Sequence, residues 1–577
     1  MDSLQQEQLL LRLGPFNGLL TRTAPLYTEP LHTITCSGFV FSELVGMLLS
    51  QKGRTKFGPF SGPTINTILS FARFYRATNL GNRLILSDDV GKLYSMSDTG
   101  AVSAALTLFS ALTNGKITEF QDWNGYLFFC NGTDTLQKIK DDLTLTKVGI
   151  TKPSTAPTGA VGAAGNPNGT YNYRVTFESA THESSPGPIS ANVVVVNQKV
   201  DLSALATTTD AQVTNVNIYR TGGGKTTWNY VGTVTQGTTT ATDNTADSDV
   251  GVELVLNRDP PPVAIKQLIS HKTRLFGITD TTVEYSNYNE PEGWDILNSI
   301  PIDNSKSADI NLRGVSLGSV LVIGRKQSVF GIYGENSGEL IPKKLLNIGL
   351  VAPLSLVSDG SVLIGLFEDG VRMFDGREWN KISQVIQPTL SAIPRGTREE
   401  FAGAILNSVY YLSSAFLKKT FFFDFETREW GELPWGGIRL LALTSTEDPE
   451  TIISIRNDKT AIDKWFDSTQ DLGANLPFTW ETNRINLVPE HLVRIREIHI
   501  VSDKTSVDFT VDLKYDDERI DTFSLTPSTK AYQVGTCSDK SICHDVSIKI
   551  SGNVNDVTQR LRIYRIALYG WVERRMK

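Results

Sequence analysis

The stretch Arg83 to Met96, RLILSDDVGKLYSM, decides how the rest of the chain is read. Four mostly apolar residues run into Asp88-Asp89-Val90-Gly91, after which polar and apolar residues alternate. An apolar run of that length, broken by an Asp/Gly turn and followed by a second short run, is the pattern of a β-hairpin. The same grammar recurs at Tyr126–Ile139 (YLFFCNGTDTLQKI), Arg274–Ser286 (RLFGITDTTVEYS) and Val320–Tyr333 (VLVIGRKQSVFGIY). It recurs again at Val362–Phe374 (VLIGLFEDGVRMF), Val409–Phe425 (VYYLSSAFLKKTFFFDF) and Ile452–Phe466 (IISIRNDKTAIDKWF). Spacing of roughly 40 to 50 residues, with four short strands per unit, predicts the blades of a β-propeller, six or seven of them.

Ser87 to Tyr94 also fits the pattern SxDxGxx(W/Y), the Asp-box of sialidase-like propellers. The Asp side chain caps backbone amides of the turn, Gly tolerates positive φ and the aromatic ring packs between blades. These are structural duties and carry no chemistry.

Between Val148 and Pro262 the composition shifts to Thr, Gly, Ala, Asn and Pro. Alternating segments there, such as Tyr171–Glu178 (YNYRVTFE) and Val213–Arg220 (VTNVNIYR), predict a β-sandwich of immunoglobulin or fibronectin-III type inserted between two propeller parts. From Trp480 the strands lengthen, as in Val507–Tyr515 (VDFTVDLKY) and Leu561–Trp571 (LRIYRIALYGW), and predict a C-terminal β-sandwich. The expected class is thus all-β. Its organisation reads as an N-terminal arm with a short helix (1–60), a first propeller part (61–150), the insert (151–262), a second propeller part (263–479) and the terminal sandwich (480–577). Helical periodicity is confined to Phe39–Ser50 (FVFSELVGMLLS) and a short piece near Gln384–Ile393.

The 577 residues are 40% hydrophobic and 20% charged, which excludes a mostly disordered or collagen-like chain. A formal charge of -7 lacks the basic balance of a protein that clamps nucleic acid through its phosphates. No apolar run is long enough for a membrane helix, and the N-terminal residues lack a signal peptide's basic start, so no membrane insertion is expected and assembly in a cytoplasm is.

The motifs with a chemical look each have a plainer reading. Tyr219–Thr226 (YRTGGGKT) lacks the first glycine of a phosphate loop and lies between strands, so a hairpin turn is favoured over nucleotide binding. Asp243, Asp247 and Asp249 offer clustered oxygens for calcium but lack the full loop pattern, and a solvated turn is favoured. Arg274, Arg325 and Arg372 are read as structural rather than as a sialidase triad, and Glu399-Glu400 and Asp516-Asp517 as solvated turn residues. The six histidines (His32, His182, His271, His491, His499, His544) show no metal-binding spacing, and Asn131 and Asn168 are sequon residues read as turns. Cys36, Cys130, Cys537 and Cys543 form no framework; free thiols are favoured, with pairing of Cys537 and Cys543 the alternative. The reading therefore assigns no catalytic, cofactor or metal residue and expects no enzyme.

Three features together resemble a known family. Gly14–Tyr27 (GPFNGLLTRTAPLY) is similar to the opening of short-tailed-phage virion proteins. Tyr171–Pro186 (YNYRVTFESATHESSP), Asn217–Thr221 (NIYRT) and Thr242-Asp243 resemble the fibronectin-III-like domains such proteins carry. Thr282–Trp294 (TVEYSNYNEPEGW) and the terminal sandwich are similar to their propeller-plus-sandwich layout. The family is the podovirus tail nozzle, also called tail tubular protein B or packaged-DNA stabilisation protein. The resemblance implies a hexameric ring in the virion, below the portal and adaptor and in contact with tail fibres or needle. That ring would enclose double-stranded DNA without reading its sequence, retain it and conduct it at ejection. A receptor-binding propeller or tail hub protein is the alternative role, and a glycan-hydrolysing propeller the third. The basic tail Arg574, Arg575 and Lys577 is read as a solvated end.

Overall fold

The computed structural model describes the chain from Gln8 onward except 14–15, 17–32, 38, 41–46, 58–64, 66, 78–79, 98–111, 304–307, 445–449, 490, 517, 529–530, 539–541, 556–557 and 576–577. The fold is all-β and propeller-like, built from many small sheets. Seven antiparallel meanders follow one another among the described residues. The first holds Ile68–Phe74, Arg83–Asp88 and Leu93–Ser97; the second runs Glu119–Trp123, Tyr126–Cys130, Gln137–Ile139 and Leu145–Lys147. The third runs Gln267–His271, Arg274–Ile278, Thr282–Asn287 and Glu290–Pro301; the fourth Asn311–Leu317, Val320–Arg325, Val329–Tyr333 and Ile341–Leu346. The fifth holds Val357–Ser358, Leu363–Phe367, Gly370–Phe374 and Trp379–Lys381; the sixth Ala402–Leu406, Val409–Ser414, Lys419–Asp424 and Trp430–Leu433. The seventh has Ile438–Leu443, Thr451–Ile455 and Ile462–Ser468, and takes its fourth strand, Gly53–Lys56, from the other end of the chain.

The second strand of each meander is apolar at successive positions because both of its faces are covered. Leu84, Ile85 and Leu86 are all fully buried. Since side chains alternate across a strand, they serve two different cores. Ile85 packs with Leu127, Phe129 and Ile139 of the second sheet. Leu84 and Leu86 pack with Leu443, Ile453 and Ile462 of the seventh. Phe128 and Cys130 then face Leu268 and Leu275 of the third sheet, Phe276 and Ile278 face Leu321 and Ile323 of the fourth, and Val320 and Val322 face Leu363 and Phe367 of the fifth. Ile364 and Leu366 share a core with Tyr410 and Leu412 of the sixth, which also takes in Ile452 and Trp465 of the seventh. At about 1.5–3 kcal/mol per fully buried large apolar side chain, these shared cores are the main source of cohesion between sheets.

The hairpin turn is capped by a carboxylate as expected, but by Asp88, one residue before the Asp89 that occupies the Asp position of the pattern. Asp88 Oδ1 accepts the backbone N–H groups of Val90 and Lys92 at 3.1 and 2.7 Å, and Oδ2 accepts the Tyr94 hydroxyl at 3.0 Å. Gly91 has φ +77°, and a Cβ there would lie 2.3 Å from the carbonyl oxygen of Leu112.

The insert is a sandwich of two sheets. Thr158–Ala164, Gln198–Ser203 and Ala241–Asp243 form one; Val193–Val195, Gly169–Glu178, Asn215–Gly222 and Lys225–Thr235 form the other. The alternation in YNYRVTFE sends Tyr171, Tyr173, Val175 and Phe177 into the core between them.

The terminal sandwich begins at Leu476–Thr482, which pairs with Asp545–Val554; that strand in turn pairs with Phe509–Tyr515. Its other sheet centres on the long pair His491–Ser502 and Arg562–Arg575. The N-terminal residues are not a separate arm. Gln8–Leu13 and Leu48–Ser50 pair with Arg562–Arg575, and Thr33–Ser37 pairs with Leu476–Thr482, so the start of the chain is part of the terminal sandwich. The helix expected over Phe39–Ser50 is replaced, at its described ends, by the paired strands Phe39–Val40 and Leu48–Ser50. Phe39, Leu48 and Leu49 are buried there, a case of tertiary burial overriding helical spacing in a segment rich in aromatic and branched residues. The short helical piece near Gln384–Ile393 is present as a 3₁₀ turn at Gln384–Ile386 and a helix at Gln387–Ala392.

Candidate functional site

A cavity of about 490 Å³ lies where the first strands of six of the seven sheets come together. Its wall includes Arg73 from the first sheet, Glu119 and Asp122 from the second, Arg313 from the fourth, Val357 from the fifth, Gly403 from the sixth and Arg439 from the seventh. Charged residues on these strands interrupt apolar surroundings, as in EFQDW and IRLLAL, because the strands face the axial cavity rather than a neighbouring sheet.

Glu119 ties the axis together. Its carboxylate meets Arg439 Nη2 at 2.6 Å and Arg313 Nη1 at 3.5 Å, so one side chain bridges three sheets that are far apart in sequence. Burial pushes this carboxyl up, but the guanidinium groups of Arg439 and Arg313 outweigh it and hold the group below its ordinary range. Arg313 is displaced downward by burial, with Arg439 adding to the shift and Glu119 opposing it. Among the described residues Asp122 has no such cation: burial raises it to about 6, against a hydrogen bond from the Tyr75 backbone and with a further push from Asp141.

Both arginines sit at irregularities. The register of the seventh sheet shifts between Ile438 and Leu440, and Arg439 between them has φ +51°. In the fourth sheet the register shifts between Asn311 and Arg313. Bulges of this kind re-aim a side chain away from the alternation of its strand, at a backbone cost of about 1–3 kcal/mol where a non-Gly residue takes positive φ.

A second polar cluster joins the insert to the propeller-like body. Lys138 of the second sheet pairs with Glu292 of the third, and both side chains are almost wholly buried. Thr181 of the insert donates to Glu292 at 2.9 Å, and Gln212 donates to the Gly149 carbonyl at 2.9 Å. Arg258 lies between Glu183 of the insert, at 3.4 Å, and Glu290 of the third sheet, at 2.6 Å. His182 is buried beside them, and burial displaces its imidazole downward.

The residues singled out in the sequence go to separate places. Tyr219–Thr226 spans a strand end and a turn in which Gly222, Gly223 and Gly224 all have positive φ, a hairpin as expected. Asp243 and Asp247 correct the solvated-turn reading. Arg220, 2% exposed, donates to Asp243 at 2.6 Å and to Asp247 at 2.7 Å, while Tyr173 and Tyr171 donate to the same two carboxylates at 2.9 Å. Their partner, 23 residues upstream of Asp243, is reached only through the fold. Asp249 is exposed.

Arg274 donates to the Ser286 carbonyl, Arg325 to those of Asp303 and Asp309, and Arg372 to Asp369, each within its own sheet or the adjoining loop. Glu399 pairs with Arg395 at 3.5 Å, Glu400 is exposed, and Asp516 accepts the His544 backbone N–H. Asn131 caps its own turn by accepting the N–H groups of Thr133 and Asp134, and Asn168 is exposed. None of the four cysteines is in a disulfide, and all four are buried. Asp517, His32, Lys577 and all of Gly14–Tyr27 but Phe16 lie outside the described residues, as do the side chains of Arg574 and Arg575. Among the described residues no three His, Cys, Asp or Glu side chains converge as a metal site. Arg73, Glu119, Arg313 and Arg439 were not singled out in the sequence; the only local hint was a charged residue inside an otherwise apolar strand.

No family model matches the chain, and no curated protein matches it in sequence. Solved structures similar to it include the computationally designed Ika8 protein (9% identity, 71% of this chain and 99% of that one, TM-score 0.33). Others are the BBS1N chain crystallised with ARL6DN (12% identity, 73% and 99%, TM-score 0.28) and apo AztD from Citrobacter koseri (11% identity, 70% and 94%, TM-score 0.32).

Proposed function

We propose that this chain is a structural protein of a phage tail, a seven-bladed propeller that assembles with further copies into the nozzle ring around the DNA channel. The observation that carries the reading is how the start of the chain stitches the molecule together. Gln8–Leu13, Thr33–Ser37 and Leu48–Ser50 run within the terminal sandwich, and Gly53–Lys56 completes the seventh sheet. Arg54 fastens that last strand through Asp471 at 2.7 Å and Asp463 at 3.3 Å. Propeller and sandwich are thereby made one block, and rigid blocks with few free sheet edges suit closed rings.

The axial tie supports the same reading. With Glu119 bridged to Arg313 and Arg439, the propeller's own axis is no path for a duplex. Any DNA channel then has to be enclosed between copies, as the family resemblance implies for a hexamer. The chain's charge of -7 favours passage over capture, because few phosphate contacts would be neutralised.

The test is immunogold labelling of purified virions through an epitope placed in the exposed Gly237 turn of the insert. Gold in a ring on the tail axis supports the nozzle. Gold confined to fibre tips supports a receptor-binding role instead and refutes the nozzle.

A further inference from the structure

Three buried polar side chains line one cleft with hydrogen-bonding capacity that the chain itself does not use. The cleft, of about 390 Å³, lies between the sixth sheet, the end of the seventh and the residues that follow Leu48–Ser50. Tyr411 and Asp424 of the sixth sheet, Phe466 of the seventh and Gln51 from the start of the chain form its wall. Gln51 is 6% exposed, Tyr411 7% and Asp424 2%. Among the described residues the Gln51 amide and the Tyr411 hydroxyl have no hydrogen-bond partner, and neither group is sealed from solvent. Asp424 Oδ1 caps its own turn by accepting the backbone N–H groups of Glu426 and Thr427 at 2.9 and 3.1 Å. Its Oδ2 accepts from nothing among the described residues, and no cation there pairs with the carboxylate. Nearly all buried polar groups are partnered, so three unmet ones around one space mark a place suited to hydrogen bonds from outside the chain.

The unmet groups differ in kind: the hydroxyl and the amide can each donate and accept, and the carboxylate only accepts. Asp424, Glu426 and Glu450 stand against Lys52 and Arg560 on the wall, which leaves the cleft close to charge balance and favours a neutral guest. Phe466 is held at φ +61° beside a register shift, with its half-buried ring 5.4 Å from that of Tyr411. A bulky residue at positive φ persists only where its surroundings enforce it. The volume falls in the range of small-molecule sites. The geometry points to a binding site for a single hexose: its hydroxyls, each both donor and acceptor, meet Gln51, Tyr411 and Asp424, and a C–H face of the sugar ring lies against Phe466. An organic ammonium satisfies Asp424 but brings only donors and leaves the Gln51 N–H groups unmet. The inference rests on this cleft and does not depend on the tail assignment.

Saturation-transfer NMR of the full chain with D-glucose, D-galactose, D-mannose and benzylamine, each alone, tests it. At least one hexose is expected to bind, and benzylamine to bind more weakly or not at all. Tyr411→Phe, which removes only the hydroxyl, and Gln51→Leu, which keeps the bulk, should each weaken the bound hexose by at least about threefold, while Lys225→Gln on the insert should leave it unchanged. Tyr411→Phe keeps the ring against Trp465 and Phe466, so the test survives if Gln51→Leu does not fold. Binding of none of the three hexoses, benzylamine binding as tightly as the best of them, or undiminished hexose binding in Tyr411→Phe overturns the proposal.

Discussion

Replacing Glu119 by Gln keeps the side chain's shape and removes the charge that two buried arginines share. The cost follows from the site. The Glu119, Arg313 and Arg439 side chains are 14%, 21% and 11% exposed, so solvent takes over only a small part of the lost interaction. Removing one member of a buried ion pair costs about 3–5 kcal/mol, against about 0–1 for an exposed pair. At about 2 °C per kcal/mol for a large domain, the expected fall in melting temperature is roughly 6–10 °C. Scanning calorimetry should be read alongside tryptophan fluorescence, because Trp430, Trp435 and Trp465 are buried in the sixth and seventh sheets and in the segment between them, and so report the body in which the tie sits. A multi-domain chain need not melt in one step, so the relevant shift is that of the fluorescence-matched transition. A cycle adds a second check: Glu119→Leu with Arg439→Met should cost about 1–3 kcal/mol less than the sum of the single changes, since the double variant orphans one guanidinium fewer. A shift below about 2 °C in Glu119→Gln, together with additive single costs, would refute a buried axial tie.

Arg220→Met should destabilise the insert by about 3–5 kcal/mol by stranding buried Asp243, seen as rapid proteolysis confined to residues 151–262 with the remainder intact. Asp122→Asn should raise the melting temperature above about pH 6 and change little near pH 4. The raised group favours folding when protonated, and that contribution is lost as pH climbs through its folded value; discounted for partial exposure, the gain is about 1–2 kcal/mol at pH 8. Cys537 and Cys543 should react with a thiol reagent at pH 8 only after unfolding, since both are buried and burial pushes Cys537 up to about 12. Fast reaction of two thiols in the native protein would contradict that packing.

Much of the fold was legible because its signals are local. A hairpin such as Arg83–Met96 declares itself through its own turn, and the run Leu84-Ile85-Leu86 declares two covered faces without reference to any partner. The alternation Tyr171, Tyr173, Val175, Phe177 likewise fixes a half-buried strand. What failed to show was non-local. Gly53–Lys56 reads GRTK, with no apolar pattern, and becomes a strand only because Asp463–Ser468 lies beside it. Phe39–Ser50 has the spacing of a helix but is claimed at both described ends by strand pairing. Asp243 looked solvated because nothing nearby in sequence announces Arg220 as its partner. The axial cavity was invisible for the same reason: Glu119, Arg313 and Arg439 are ordinary charged residues until the sheets bring them to one axis.

The tail assignment is tested most directly by a density map of the intact virion's tail, with this chain fitted as a rigid block. The proposed nozzle would show copies arranged in a closed ring below the portal and adaptor, their terminal sandwiches and propellers fixed relative to one another and DNA passing between copies rather than through any propeller axis. Density for the chain found only at the periphery of the tail, or duplex DNA threading a single propeller, would contradict it.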